Sequence, residues 1–576
     1  MKRKFIYIYS AYFVVIFFLS AACVYVSDNI KNRMATLSVN LDIYKNVYIT
    51  NVSGNRLTAN MYGNIRSFST GKLNEDVSGY LCDLIVRDDR VIQVNKKSDV
   101  VTGKVLSVSE NSVDIEGYGV VRLDEDFIMY DKNTEAVNDY NSIVVGYDLQ
   151  DFIVADGEVC GAVKNRVLQA DNIRVIIKTT GYKDIFFDEV QFSADGEMTV
   201  SYTGGKEEIA PQETFSLNKE SEMFANGRVK LSVSEGEIRF DSVSRGVGIP
   251  AYGGTIEIAA YDEGLVVVNE VPIEDYLKKV VPSEMPSGFN LEALKCQAVC
   301  ARSYAYTELG NNYYGEYGAH IDDSIQYQVY NNSARSDSTD KAVDETCGQV
   351  LSYNGDIVKT YYYSTSCGST TDVSLWGSAS ESYPYFVAEC VGKVDNSLLL
   401  TDENEFARFI KSSNESDYDY GCNLYRWSME ESIEQISSAF KAATGNDIGM
   451  IKDIEVCRRV NGGAAIEVKV KGDKGEVTLD SEASIRTAFG NAAVDMNTMT
   501  GTAKYSRLPS TFCIFEKVIK QDELTGFRIT GGGYGHGIGM SQNAANKMAE
   551  SMTYAQILEF FYRGTTLNLV SSYSTS

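Results

Sequence analysis

From about residue 36 to 260, apolar and polar positions alternate in short runs. KNVYITNV, VVTGKVLSVS, SVDIEGYGVVRL, SIVVGYDL and IRVIIKTT are rich in β-branched residues and are punctuated by Gly, Asn and Asp. Alternation with period two predicts half-buried strands, and the punctuation predicts turns. No helical period interrupts them, so this part reads as small β-barrels or sandwiches, with a boundary near residue 165 before NIRVIIKTTGYKDIFF. These runs hold no cluster of catalytic residue types and read as spacer, oligomerisation or contact modules.

The pattern changes at GLVVVNEVPIEDYLKKVVPSEMPSGFNLEALKCQAVCARSYAYTELG. Pro272 can open a helix over roughly 272–280, because its missing N–H costs nothing at the first helical position. Asn290 can cap a second helix over roughly 291–309. Between them PSEMPSG reads as a tight turn carrying Glu284. On the second helix, Lys295, Arg302 and Tyr306 fall on one stripe, and Leu291, Leu294, Ala298, Ala301 and Ala305 form a small apolar face suited to close packing. The stripe is either a solvated edge or a surface facing Glu284. Cys296 and Cys300, four apart, read as small core residues, since no companion ligand lies near them in sequence.

Further on, VLSYNGDIVKTYYYSTSCGSTTD predicts a strand followed by a loop dense in hydroxyls, Ser364 and Ser366 among them, with Trp376 close behind. Such a loop either hydrogen-bonds carbohydrate, with the Trp stacking on a sugar face, or is an ordinary Ser/Thr-rich turn. Residues 400–450 read as mixed helix, IEVKVKG and VTLDS as strand, and SQNAANKMAE and TYAQILEFFY as two closing helices. Before those two lies GGGYGHGIGMSQ, residues 531–542, with one of only two histidines in the 576-residue chain. Alone it reads as a glycine-rich turn.

Length and charge narrow the class. A chain of 576 residues exceeds what one core usually holds. With 53 Lys and Arg against 79 Asp and Glu, the net charge of −26 argues against nucleic acid as a partner. Lys2, Arg3 and Lys4 precede an uncharged apolar run over 5–27, long enough to span a bilayer, with basic residues on the cytoplasmic side. The length favours an uncleaved single-pass anchor with an extracytoplasmic C-terminal region. The rival is a cleaved signal peptide, and LSAAC resembles a lipobox with Ser20 where Leu is usual. The eleven cysteines dictate no disulfide framework.

VPIEDYLKKVVPSEMPSGFNLEALKCQAVCARSYAY, GGGYGHGIGMSQNAANKMA and ILEFFYRGTTL, with VLSYNGDIVKTYYYSTSCGSTTD, PYFVAECV and IRTAFG in order between them, resemble the SpoIID/LytB family of stage II sporulation protein D and the amidase enhancers. The resemblance runs from about residue 170 to the end. It implies a cell-wall role, either as a membrane-anchored lytic transglycosylase acting on peptidoglycan glycan strands or as a non-enzymatic enhancer of a wall amidase or scaffold of a sporulation complex. Carried over by motif, the catalytic glutamate is Glu284 and the basic pair is Lys295 and Arg302. The glycine-rich histidine motif supplies His536, Ser541 and Gln542. With Tyr306, Ser364 and Ser366 these form the expected substrate site. Some sporulation members carry a His/Cys zinc cluster just before a QVY segment. In GAHIDDSIQYQVY, His320 remains, but Asp322, Gln326 and Tyr327 stand where His and Cys are expected, so no metal and no cofactor are predicted.

The expected fold class is α+β: a transmembrane helix within 1–27, a β-rich region over 28–165, and a mixed α+β SpoIID-like domain over 166–576 with a central groove.

Overall fold

The computed structural model describes residues 41–225, 227–393 and 400–570. It divides into two compact units. One runs to Ile143 and includes Tyr147–Arg166; the other holds Val144–Gly146 and the chain from Val167 onward.

In the first unit, strands Asp42–Ser53, Arg56–Met61, Asn64–Ser69, Arg90–Lys96 and Leu81–Arg87 close a barrel in that spatial order. Closure removes the exposed edges that open sheets must protect. Inward positions Val47, Ile49, Leu57, Phe68, Leu84 and Val86 fill its core. The turn Tyr62–Gly63 joins two of these strands with φ of 52° and 91°, the positive pair that a two-residue hairpin turn requires. A seven-stranded sheet completes this unit.

The second unit begins with another seven-stranded sheet, in which Thr255–Ala260 pairs with Leu265–Pro272 and the latter with Asn172–Ile176. The chain then enters helix α1 (Ile273–Glu284), α2 (Leu291–Glu308) and α3 (Asp337–Glu345). Later helices are α4 (Glu403–Lys411), α5 (Ile433–Thr444), α6 (Glu482–Ala488), α7 (Gln542–Met548) and α8 (Tyr554–Phe561). Asn290 caps α2, its side chain accepting from Glu292 N at 3.0 Å. Leu294, Ala298, Ala301 and Ala305 are fully buried, and Cys296 and Cys300 are buried beside them. Small side chains along α2 let α1, α3, α7 and α8 pack around it.

One short sheet joins distant parts of the chain. Tyr362–Tyr363 pairs in parallel with Met540–Ser541, which lays the glycine-rich motif alongside the 361–363 strand. Gly535 (φ 119°) and Gly539 (φ 73°) make this possible: a Cβ at Gly535 would lie 2.6 Å from Tyr363 Cβ, and one at Gly539 would lie 2.1 Å from Tyr361 O.

Three expectations are corrected. Strand accounts for 39% and helix for 19%, so the structure is mostly β-rich and the expected α+β class is corrected. Beyond residue 166 the reason is sheet content: five strands assemble around Trp427–Ser432 and Glu523–Gly531, and three more around Ala465–Gly472. The single-pass membrane localisation is not supported, because among the described residues no helix is long and apolar enough to cross a membrane. The longest of these, α2, has 18 residues and carries Glu292, Lys295, Arg302 and Glu308; the predicted span over 5–27 lies outside the described residues. Finally, Glu284 is not in a turn. Pro282 removes one helical donor, yet α1 continues to Glu284, and Met285 N closes the last turn on Val281 O at 2.9 Å.

Candidate functional site

A cleft of about 470 Å3 gathers Glu284 from the end of α1, Gln328 and Val329 from the QVY segment, Tyr361–Ser364, Trp376, and Glu482 and Arg486 of α6. Arg507, Tyr534, His536 and Gln542 complete its wall. A more voluminous cleft, about 750 Å3, opens beside Arg408, Asp417 and Arg426, but none of the candidate site residues lines it.

Glu284 sets its carboxyl in the wall of the smaller cleft. Val329 N donates to its Oε1 at 2.6 Å, and the Tyr362 phenol hydrogen-bonds the same carboxyl. That phenol is itself oriented: Gln328 Nε2 donates to it at 3.2 Å, and Tyr276 OH donates to Gln328 Oε1 at 3.1 Å. Burial pushes the Glu284 carboxyl from the ordinary 4.5 up to about 7, against the smaller lowering effect of these two donors. Its place at the carbonyl end of α1 works in the same upward direction. By surface area the residue is only partly buried, since one side opens onto the cleft. Protein atoms crowd the carboxyl itself, so the upward direction stands and water at the open side moderates it. The other carboxyl of the cleft, Glu482, is committed to Arg486 at 2.5 Å.

His536 lines the cleft with both ring nitrogens engaged. Ile538 N donates to Nδ1 at 3.0 Å, which leaves the proton on Nε2 to donate to Tyr362 O at 3.0 Å. Burial lowers its proton affinity to about 4, so the ring is neutral through the physiological range. Its faces pack against Trp376 and Tyr363, with centroids 5.0 and 5.6 Å away. The imidazole thus holds the backbone of Tyr362, whose hydroxyl reaches Glu284. The glycines around it admit the protein's own 361–363 strand, where the motif alone suggested close approach to a ligand.

Gln542, the first residue of α7, bridges elements: its Nε2 donates to Glu284 O at 3.0 Å and to Gln297 Oε1 at 3.2 Å. Ser364 also lines the cleft. The other predicted residues sit elsewhere. Lys295 pairs with Glu292 at 2.9 Å and Glu345 at 2.8 Å. Arg302, fully buried, forks onto Glu274 with two bonds of 2.7 Å and reaches Val343 O and Gln349 O. Tyr306 OH donates to Ala170 O at 2.9 Å. The cationic stripe therefore ties α2 to α1 and α3, and does not face Glu284. Ser366 and Ser541 are buried and both donate to Asp419, at 2.6 and 2.9 Å. The hydroxyl-dense loop is turned inward, with Thr370 Oγ1 donating to Val387 O at 2.9 Å.

The zinc site of some sporulation members has no counterpart in the side chains present. His320 spends Nδ1 on Arg174 N at 3.1 Å and Nε2 on Val145 O at 3.0 Å. Asp322 accepts from Tyr314 OH at 2.8 Å and from Ser324 N at 2.8 Å, and Gln326 and Tyr327 line the cleft. This donor set does not fit a tetrahedral site of N and S ligands.

Residues that motif reading passed over are Tyr362, Gln328 and Arg507. QVY and the YYY run were visible signals for the first two. No sequence pattern marked Arg507.

The β-rich scaffold thus sets the partly buried carboxyl of Glu284 in a cleft lined by aromatic side chains. Sequence comparisons show what the chain is similar to. The family model described as stage II sporulation protein matches residues 261–353, and a domain of unknown function matches residues 373–539. Over part of its length the chain is similar to proteins of the SpoIID/LytB family. It is 30% identical over 306 residues to the amidase enhancer of Bacillus subtilis (strain 168), covering 50% of this chain and 40% of that protein. It is 26% identical over 329 residues to stage II sporulation protein D of the same organism, covering 54% and 79%, respectively. An uncharacterized protein of Brachyspira hyodysenteriae is 29% identical over 363 residues, covering 61% and 83%. Less than half of the amidase enhancer's length is thus spanned. The cleft draws Glu284 from the first matched segment and Trp376, Arg507 and His536 from the second.

Proposed function

We propose that this protein acts on peptidoglycan glycan strands as a lytic transglycosylase, with Glu284 as the single general acid and base. The observation that carries this is a carboxyl in a cleft, hydrogen-bonded by Val329 N and the Tyr362 phenol and raised by burial to about 7, whose neighbouring carboxyl Glu482 is neutralised by Arg486. Glu284 donates its proton to the glycosidic oxygen while the C1–O bond breaks. The resulting carboxylate then takes the proton of the muramic acid 6-hydroxyl as that oxygen bonds to C1, giving a 1,6-anhydro end and restoring Glu284. No water is consumed, and the substrate supplies the nucleophile that a second carboxylate or water supplies in ordinary glycosidases. Trp376, 42% exposed, offers a face for a sugar ring. Tyr362 and Gln328 orient the acid, His536 positions Tyr362, and Gln542 fixes the end of α1. Lys295, Arg302, Tyr306, Ser366 and Ser541 support this reading only as framework.

A second reading, stimulation of a wall amidase without cleavage, is favoured by the 30% identity to a protein named amidase enhancer. Digestion of purified glycan strands by wild type and Glu284→Gln separates the two. Anhydro-muramic products from wild type alone support the enzyme. No product from either, together with faster release of stem peptides by an added amidase, overturns it in favour of the enhancer.

A further inference from the structure

The cleft contains a cation with no hydrogen-bonded or ion-paired partner among the described residues. Glu482 and Arg486 neutralise each other, and Arg486 Nε donates to Leu508 O at 2.8 Å. Arg507, beside them in the cleft wall, makes no side-chain hydrogen bond or ion pair among the described residues, and its Nε is buried without a partner. In a chain of net charge −26, carboxylates are abundant, and most of its buried arginines hold them: Arg174, Arg245, Arg302 and Arg459 all do. A desolvated guanidinium donor without an acceptor is disfavoured unless a ligand supplies one. Burial first, then the neighbouring Arg486, weaken its hold on the proton, and Glu482 and Tyr534 offset this only in part.

We infer that Arg507 is a specificity residue that receives a carboxylate of the bound glycan. This rests on the reading of the cleft as a glycan site and adds to it the chemical class of the substituent. A guanidinium presents a planar fork of N–H donors that matches a carboxylate in two parallel bonds. With Glu482 paired to Arg486, Arg507 gives the cleft one net positive charge whenever Glu284 is protonated or replaced by glutamine, so an anionic substituent is favoured over a neutral one. The exposed ring of Tyr534 stands in the same wall, an apolar face for the sugar that bears the acid. Two groups in peptidoglycan have this chemistry: the lactyl ether carboxylate of muramic acid, and a carboxylate of the stem peptide, whose attachment converts the lactyl acid to an amide.

Trp427 is buried and Trp376 is exposed in the cleft, so tryptophan fluorescence reads cleft occupancy. Affinities are measured in the full chain carrying Glu284→Gln, which keeps ligands uncut, with three probes of equal length. These are a neutral N-acetylglucosamine oligomer, a peptide-free alternating oligomer with free lactyl acids, and the same oligomer bearing stem peptides. At least one acidic probe is expected to bind about tenfold more tightly than the neutral one, as loss of one charged hydrogen-bonded pair implies. Adding Arg507→Gln should erase that preference while leaving the neutral probe unchanged, and Arg507→Lys should keep part of it. Preference for the peptide-free probe assigns the lactyl acid; preference for the peptide-bearing probe assigns the peptide acid. Equal binding of all three probes, or equal weakening of all three by Arg507→Gln, overturns the inference and leaves the glycan reading standing. Binding of none overturns both.

Discussion

Replacing Glu284 with glutamine is expected to stabilise the protein at pH 8 and to leave it nearly unchanged at pH 5. Moving the carboxyl from 4.5 to about 7 sets roughly 3 kcal/mol against its ionised form in the folded chain. Water at the open side of the cleft discounts this to about 2 kcal/mol. The folded-state proton affinity exceeds the unfolded one, so the stability it carries is full below 4.5 and is lost as pH rises through about 7. Glutamine preserves the shape and cannot ionise. Asp419 and Asp323 are also shifted up by burial, to about 7 and about 6, but both remain in the variant and cancel in the comparison. For a unit of about 400 residues, 2 kcal/mol corresponds to about 2 °C in Tm. Scanning calorimetry of both proteins at pH 5, 6, 7 and 8 should show the variant's advantage opening with pH. Parallel curves, or a gap that closes as pH rises, would refute a Glu284 that is protonated near neutrality.

The packing carries two more expected outcomes. Arg302→Met should cost about 3–5 kcal/mol in urea unfolding, because Glu274 is left with a half-buried charge and no partner, and Glu274→Gln in the same chain should recover a good part of it. Recovery of stability without recovery of any glycan affinity lost would return Arg302 to the binding site. His536 is neutral because burial holds its proton affinity near 4. Relative to His536→Gln, wild type should lose stability below pH 6.5 and go on losing it down to about 4, while the activity profile between pH 5 and 8 shows no step from this ring; a step there that disappears in the variant would make it a proton carrier.

Much of the framework could be read from residue patterns alone. The alternation in KNVYITNV lies within strand Asp42–Ser53, and Asn290 caps α2 because a short polar side chain at that place satisfies a free helical N–H. Helix boundaries were harder: PSEMPSG read as a turn, but a proline in the last turn removes a single bond and α1 runs on through Pro282 to Glu284. The site was half legible. Glu284, His536, Ser364 and Gln542 reach one cleft through motifs far apart in sequence. Lys295 and Arg302 misled because a helical wheel gives the direction of a stripe and not the neighbour that meets it. Here the neighbours were Glu274, Glu292 and Glu345, whose carboxylates were as visible as any others in an acidic chain. The inward turn of Ser366 depended on Asp419, more than fifty residues away, which no local pattern connects to it.

The parallel pairing of Tyr362–Tyr363 with Met540–Ser541 sets a time as well as a place. Joining strands separated by so much chain is among the slowest events in folding, since a large loop must close before any contact rewards it. Until residue 541 has left the ribosome, Tyr362 has neither its neighbouring strand nor the His536 anchor, and the carboxyl of Glu284 has no finished chamber around it. Synthesis thereby orders assembly: one wall of the cleft is missing until that late segment has emerged and paired.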